Sequence, residues 1–343
     1  MKRIVISRKL GEICAVVIKG GEINAIYNDK PRLVGNIYKG IIKNFLPGMQ
    51  AVFVDIGRDK NVFLQFKAAQ KFSVGQNILI QIEKDEVGLK GARATLNISL
   101  AGKLLIFLPT LGYIGMSNKI LGSERERLHA LAKKIRPKDS GLIVRTAAEG
   151  CNEKILSEEF IALQTLWNKI LERNAKRKPP ALLYSDNDLI DKIIRDELTA
   201  DTEIFVDSLK IYCRLENFAN VKLYEGSAQI FEAFGVAEEI SKINQRELLL
   251  PSGGQIVIDK TEALTAIDVN TSRFIGHTNF DETILKTNLE AAELILKQLK
   301  LRDIGGIIIV DFIHMEKPPD KKIFMNFFRE KTAPHKKKKK NVD

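Results

Sequence analysis

The sequence predicts a multidomain α/β protein of the α+β type, and three observations carry that expectation. The chain is 343 residues long and 45% apolar, enough to bury a core divided over two or more domains. Residues 35–100 hold five short β-type runs separated by glycine-bearing turns. Residues 263–312 pass from strand to helix to strand, the pattern of a parallel βαβ unit with a right-handed crossover.

From residue 4 to 27, short β-type runs flank "KGGE", whose paired glycines suit a hairpin turn. Then come "GNIYKGIIKNF", "MQAVFVDIG", "KNVFLQF", "QNILIQIEK" and "ARATLNISLAG". Five short strands in so little chain match an OB-type barrel, a common holder of single-stranded nucleic acid, and equally a plain β-meander. The segment 102–180 mixes helices with the strand "GLIVRTA" and closes on the linker "RNAKRKPPA". Between 181 and 243, "NDLIDKIIRDEL" reads as a helix and "TEIFVDS" as a strand. From 244, "RELLL", the turn "PSGG" and "QIVID" lead into "ALTAIDVN", a long helix and "GGIIIVDF". That helix sets Leu285, Leu289, Ala292, Leu296 and Leu299 on one face in steps of three and four, and Gly305 and Gly306 end it. The closing "APHKKKKKNVD" reads as a low-complexity, disordered tail.

The formal net charge is +11, and a basic excess persists when the lysine run at 336–340 is set aside. Basic character spread along the chain favours a polyanionic partner, nucleic acid first and an anionic membrane surface second. Cys14, Cys151 and Cys213 stand far apart without a CxxC pair, which excludes a zinc knuckle or a disulfide framework and fits a reducing cytoplasm. The N-terminus has no signal-peptide core, and no apolar run reaches the length of a membrane span.

Three sets of residues carry candidate chemistry. In a βαβ unit both strands point the same way, so Asp268 and Asp311 fall at the same carboxyl edge of the sheet, where α/β proteins place ligands. Two carboxylates converging there repel unless a hard cation lies between them, and magnesium suits the arrangement; the alternative is that each caps a turn. Asn270 shares the side of Asp268 and is placed to bond a phosphate or a metal-bound water. In the barrel candidate, Val52, Val54 and Ile56 share one face and Val62, Leu64 and Phe66 another, which leaves Phe53 and Phe63 on the polar faces of adjacent strands. Exposed aromatics there act as stacking platforms for bases, with Lys90 in the turn "GLKGA" placed for an electrostatic contact to a nucleic-acid backbone; under a covering helix or loop they would be ordinary core. Arg145, in the apolar "GLIVRTA", needs water, a phosphate or an acidic partner, and the Thr146 hydroxyl is a second donor beside it. His314 reads as a packing residue rather than a ligand.

With these residues in hand, the chain resembles the catalytic half of the RNase E / RNase G family of bacterial endoribonucleases, from near residue 1 to about 330. The resemblance is strongest in "LPSGGQIVIDKTEALTAIDVNTSR" and "ETILKTNLEAAELILKQLKLRDIGGIIIVDFIHM", and extends to "GNIYKGIIKNFLPGMQAVFVDIG", "NISLAG" and "GLIVRTA". It implies magnesium held by Asp268 and Asp311, with Asn270 orienting the attacked phosphate or the ligands. It implies RNA stacking on Phe53 and Phe63, an RNA contact at Lys90, and a 5′-monophosphate pocket at Arg145 and Thr146, lined by Gly102 and Ile106. The implied architecture is a ribonuclease-H-like subdomain (1–34 and 181–243) interrupted by an OB-fold, S1-type RNA-binding domain (35–101) and a 5′-sensor subdomain (102–180). A DNase-I-like catalytic subdomain (244–333) and a Lys-rich disordered tail (334–343) follow. The implied activity is magnesium-dependent hydrolysis of single-stranded RNA in rRNA and tRNA processing or mRNA decay, leaving a 5′-phosphate and a 3′-hydroxyl, in the cytoplasm.

The sequence also departs from the family. The family's cysteine pair, which shares one zinc between two protomers, has no counterpart beyond Cys213, so zinc is not expected and the family's homo-oligomer lacks its metal link. The basic residue that completes the 5′-phosphate pocket would fall near 338, inside the lysine run. A lysine run followed at once by the last residues suggests a gene shortened by slippage in an adenine tract. The alternative functional expectation is therefore a catalytically impaired RNA-binding remnant, and a third is a DNA-directed phosphodiesterase.

Overall fold

The computed structural model describes the chain apart from residues 10–11, 30–31, 67–71, 87–89, 187, 200, 218–219, 244, 262, 272–279 and 333–343. The tail expected at 334–343 lies outside the described residues. The chain divides into two compact units, one made of Asp29–Leu198 and the other of Met1–Asn28 with Thr199–Asp343.

In the Asp29–Leu198 unit, strands Ile37–Leu46, Ala51–Asp55, Val62–Gln65, Arg93–Thr95 and Asn77–Lys84 pair in that order, and the last returns to the first. The sheet therefore closes into a five-stranded, OB-like barrel rather than an open meander. Closure follows from the length of Ile37–Leu46, a ten-residue strand whose first half pairs with Asn77–Lys84 and whose second half pairs with Ala51–Asp55. The alternation read from sequence is the alternation that fills it: Val52, Val54, Ile56, Val62, Leu64 and Phe66 are all buried. One buried polar group closes the barrel's end with every bond satisfied. Gln81 donates through Nε2 to the carbonyls of Gly35 and Ser99, and its Oε1 accepts from the Ser99 amide.

A second sheet in this unit orders Ile114–Met116, Gly141–Val144, Leu105–Leu108 and Leu100–Ala101. Helices Gly122–Ile135 and Glu153–Lys176 cover it through Leu128, Ala132, Leu156, Phe160 and Leu163. Residues 29–34 and 181–198, which the sequence assigned to the ribonuclease-H-like part, pack in this unit instead. Leu33 joins the barrel core, Ala181–Tyr184 pairs with Ile37–Leu46, and Leu189–Glu197 follows, capped at its start by the Asp188 carboxylate.

The other unit holds two sheets. The first orders Asn220–Leu223, Thr202–Val206, Lys2–Lys9, Glu12–Lys19 and Glu22–Asn28. Its last hairpin turns at Gly20 and Gly21, with φ of +64° and +88°, the left-handed backbone that a two-residue turn demands at both positions. The second orders Glu247–Leu249, Gln255–Lys260, Leu264–Asn270 and Ile307–Asp311, antiparallel except for the last pair, which is parallel and joined by helix Phe280–Leu301.

That helix buries part of the face the sequence suggests and is centred a little to one side of it. Its deepest residues are Ile284, Thr287, Asn288, Ala291, Ala292, Ile295, Gln298 and Leu301; of the face read from sequence, Ala292 is fully buried while Leu285, Leu289, Leu296 and Leu299 are half-buried. Counting apolar residues alone missed two buried amides that have partners. Asn288 brackets the backbone of Ile313, donating to its carbonyl and accepting from its amide, and Gln298 accepts from Arg302 Nε. No helix among the described residues is long and apolar enough to cross a membrane.

Ile256, fully buried opposite Val269, is a test of this packing. Ile256→Ala is expected to destabilise the chain by about 2–5 kcal/mol, seen as a lower urea midpoint at unchanged m-value.

Candidate active site and nucleic-acid interface

Strand Leu264–Asn270 buries Thr265, Ile267 and Val269 and exposes Ala266, Asp268 and, partly, Asn270 on its outer face. The parallel register with Ile307–Asp311 sets Asp268 opposite Asp311, both exposed. Two like charges directly opposite on neighbouring strands destabilise a sheet, and among the described residues neither carboxylate forms an ion pair. Asn270 Nδ2 donates to Asp268 Oδ2 at 2.7 Å, which orients that carboxylate without neutralising it. Among the described residues no cluster of three or more His, Cys, Asp and Glu side chains converges, so the protein offers two carboxylates and one amide. All three are hard oxygen donors, a set that fits a divalent cation keeping several waters and that does not fit a closed thiolate or imidazole centre.

Neighbouring groups fix the ends of this edge. The turn at 250–254 hydrogen-bonds to itself, Gly253 amide to Leu250 carbonyl and Leu250 amide to Gly254 carbonyl, and the Ser252 amide donates to Glu290 on the helix. Gly254 lies against the backbone of Asn270: an added Cβ would sit 2.8 Å from the Asn270 carbonyl and 3.0 Å from Thr287 Cγ2. Beyond Asp311, Phe312 packs edge-on to Phe324 and Phe328 of helix Pro318–Thr332. His314 is exposed, so it is not the packing residue expected.

On the barrel, Phe53 and Phe63 are directly opposite in register, both half-buried, with ring centroids 5.9 Å apart in an edge-to-face arrangement. They are neither covered core nor fully free rings. Lys90 is exposed and lies just ahead of the segment that pairs with Val62–Gln65, where the Phe63 amide donates to the Ala92 carbonyl.

Strand Gly141–Val144 ends one residue before Arg145, which begins the short turn Thr146–Ala148. The Arg145 amide donates to the Leu104 carbonyl and its guanidinium donates to the Gly102 carbonyl, so these two predicted residues meet; Ile106 lies on the adjoining strand opposite Ile143. Thr146 Oγ1 lies 2.8 Å from Ser117 Oγ. The guanidinium also has an acidic partner, since Nη2 donates to Asp196 Oδ1 at 2.8 Å. Asp196 accepts from Arg195 as well, and Arg195 reaches on to Asp186 at 2.9 Å. Burial opposes the charge on Asp196, but hydrogen bonds from Arg195 and then Arg145 outweigh it and hold its pKa below the ordinary carboxylate value.

Sequence reasoning did not find Asp196, Arg195 or Gly254. The helix capped by Asp188 carries both members of the first pair, and only its packing beside Arg145 reveals them.

The closed five-stranded barrel and the sheets around it define a mixed α/β protein with an OB-like fold. A family profile described as "Ribonuclease E/G family" matches residues 99–342. The chain is 38% identical to ribonuclease G of Escherichia coli strain K12, over 87% of this chain and 68% of that protein. It is 37% identical to ribonuclease G of Haemophilus influenzae, over 86% and 67%. With ribonuclease E of Buchnera aphidicola subsp. Schizaphis graminum the identity is 35%, over 96% of this chain and 38% of the relative. The chain belongs to the ribonuclease E/G family.

Two outcomes follow from the geometry. Gly254→Ala forces the Asn270 peptide to move, and is expected to destabilise the chain by about 1–3 kcal/mol and to shift the Asn270 amide resonance more than those of its strand. Asp196 is a carboxylate with a depressed folded pKa, so its contribution is present above the unfolded value of about 3.9 and is lost as pH falls through the folded value. Asp196→Asn is therefore expected to be less stable than the parent at neutral pH and equal to it in acid, measured as urea midpoints across that range.

Proposed function

We propose that the chain is an endoribonuclease that hydrolyses single-stranded RNA with magnesium. Family membership supports endoribonuclease activity. The observation that carries the mechanism is the register that sets Asp268 opposite Asp311 with the Asn270 amide on Asp268.

In this reading Asp268 and Asp311 hold the cation through carboxylate oxygens. Asn270 fixes the orientation of Asp268 and presents the rest of its amide to a phosphate oxygen or a water. Magnesium, when bound, supplies a lowered water pKa and a Lewis-acid contact to the phosphoryl group. The reaction adds water across one phosphodiester: the water oxygen bonds to phosphorus, the 3′-oxygen leaves with a proton, and the products are a 5′-phosphate and a 3′-hydroxyl.

Phe53 and Phe63 serve as base-stacking platforms, with Lys90 near the RNA backbone. Arg145, Thr146, Gly102 and Ile106 form the pocket for a 5′-monophosphate, and the guanidinium fork suits that group because it matches phosphate geometry. The sheet containing Lys2–Lys9 is the ribonuclease-H-like part of this architecture, and the sheet bearing the carboxylates is its DNase-I-like catalytic part. RNA maturation and decay in the cytoplasm are the setting that this activity suits.

The test is cleavage of a 5′-monophosphorylated oligoribonucleotide in magnesium and in EDTA. Chelation, and separately Asp268→Asn combined with Asp311→Asn, are each expected to lower the rate by on the order of a hundredfold or more. Cleavage undiminished in the double variant would reject the metal mechanism.

A further inference from the structure

The outer face of the barrel does not stop at its two phenylalanines. Phe53 is opposite Phe63 in one strand pairing, and Phe63 is opposite Arg93 in the next, so the three side chains stand in one row across three adjacent strands. Arg93 is exposed, and its guanidinium bonds Gln65 Oε1 and Glu83, each at 3.3 Å. Both members of the Arg93–Glu83 pair are about half exposed, and such pairs contribute little to stability. The guanidinium can therefore exchange Glu83 for another partner with small loss.

Beside this row lies an open cleft of about 860 Å³, bordered by Gln50, Gln65, Glu83, Arg93, Thr95 and Asn97, with Phe66 in its wall. Gln65 and Thr95 lie on the outward side of their strands, two residues along from Phe63 and Arg93, so the cleft continues the aromatic surface. Its chemistry differs from that of a phosphate groove. Three side-chain amides and a hydroxyl each both donate and accept, as the edge of a nucleobase requires. The carboxylate of Glu83 disfavours a phosphate and accepts from a base amino group. The flat arginine at the entrance offers a face on which a base can stack.

We propose that this cleft is a nucleobase subsite, which takes the nucleotide next to the bases stacked on Phe53 and Phe63 and reads its edge. It rests on the reading of the barrel as a surface for single-stranded RNA.

The experiment is fluorescence anisotropy of the full chain in EDTA, which prevents turnover, with labelled single-stranded homopolymers of the four ribonucleotides at several salt concentrations. Three proteins are compared: the parent, Arg93→Ala with Gln65→Ala, and Phe53→Ala with Phe63→Ala. The parent is expected to prefer one homopolymer by at least about threefold. The Arg93/Gln65 variant is expected to bind on the order of tenfold more weakly, with that preference flattened and the salt slope little changed. Equal parental affinity for all four homopolymers overturns the proposal. So does a salt slope reduced by about one with the preference intact, which would make Arg93 a phosphate contact. If only the phenylalanine variant weakens binding, the subsite is wrong and the barrel reading stands. If neither variant weakens binding, the barrel reading fails and takes the subsite with it.

Discussion

The candidate catalytic edge depends on two like charges being held face to face. Asp268 and Asp311 have no ion-pair partner among the described residues, and their repulsion would be relieved by any slip between their strands. What prevents a slip is the other side of the sheet. Ile256, Ile258, Ile267 and Val269 pack with Ala291 and Ile295 of the connecting helix into one apolar cluster. A shift of one residue would turn Ile267 and Val269 to solvent and drive Asp268 into that cluster, so hydrophobic burial fixes the register. The polar devices act after that. Asn288 ties the backbone just beyond Asp311 to the helix, Glu290 ties the 250–254 turn to it, and Asn270 sets the angle of one carboxylate.

The barrel shows the same division of labour. Alternation sends valines, leucines and isoleucines inward and leaves the outer face to Phe53, Phe63, Arg93, Gln65 and Thr95. Closure needs the long strand Ile37–Leu46 to serve two neighbours and Gln81 to satisfy the chain ends that meet there. A rigid scaffold of this kind presents side chains in rows set by strand register, which is why a third row member can be read from pairing alone.

Much of this was legible in the sequence because it rests on short-range periodicity. The faces of "AVFVDIG" and "NVFLQF", the hairpin at Gly20–Gly21, and the parity that brings Asp268 beside Asp311 all follow from two-residue alternation or from the handedness of a βαβ crossover. The rest depends on contacts that spacing does not encode. Arg145 and Asp196 are 51 residues apart and meet only because a short helix packs beside a strand end. The buried face of helix Phe280–Leu301 was read only in part, at Ala292, because Asn288 and Gln298 are polar yet have partners inside. The unit boundaries at 28/29 and 198/199 were missed because Ala181–Tyr184 joins the barrel sheet through one strand pairing. Gly254 looked like any turn glycine until the Asn270 carbonyl was found against it.

The pairing of Arg145 with Asp196 has a consequence for selectivity. An anion arriving at this guanidinium does not meet bare positive charge; it must exchange with a carboxylate of one unit charge that Arg195 also holds in place. A phosphodiester within a strand carries one charge as well, so it gains nothing over the resident group. A terminal phosphomonoester carries close to two near neutral pH and can outcompete it. The resident aspartate thus sets a charge threshold at Arg145, which an anion passes only by carrying more than one unit of charge.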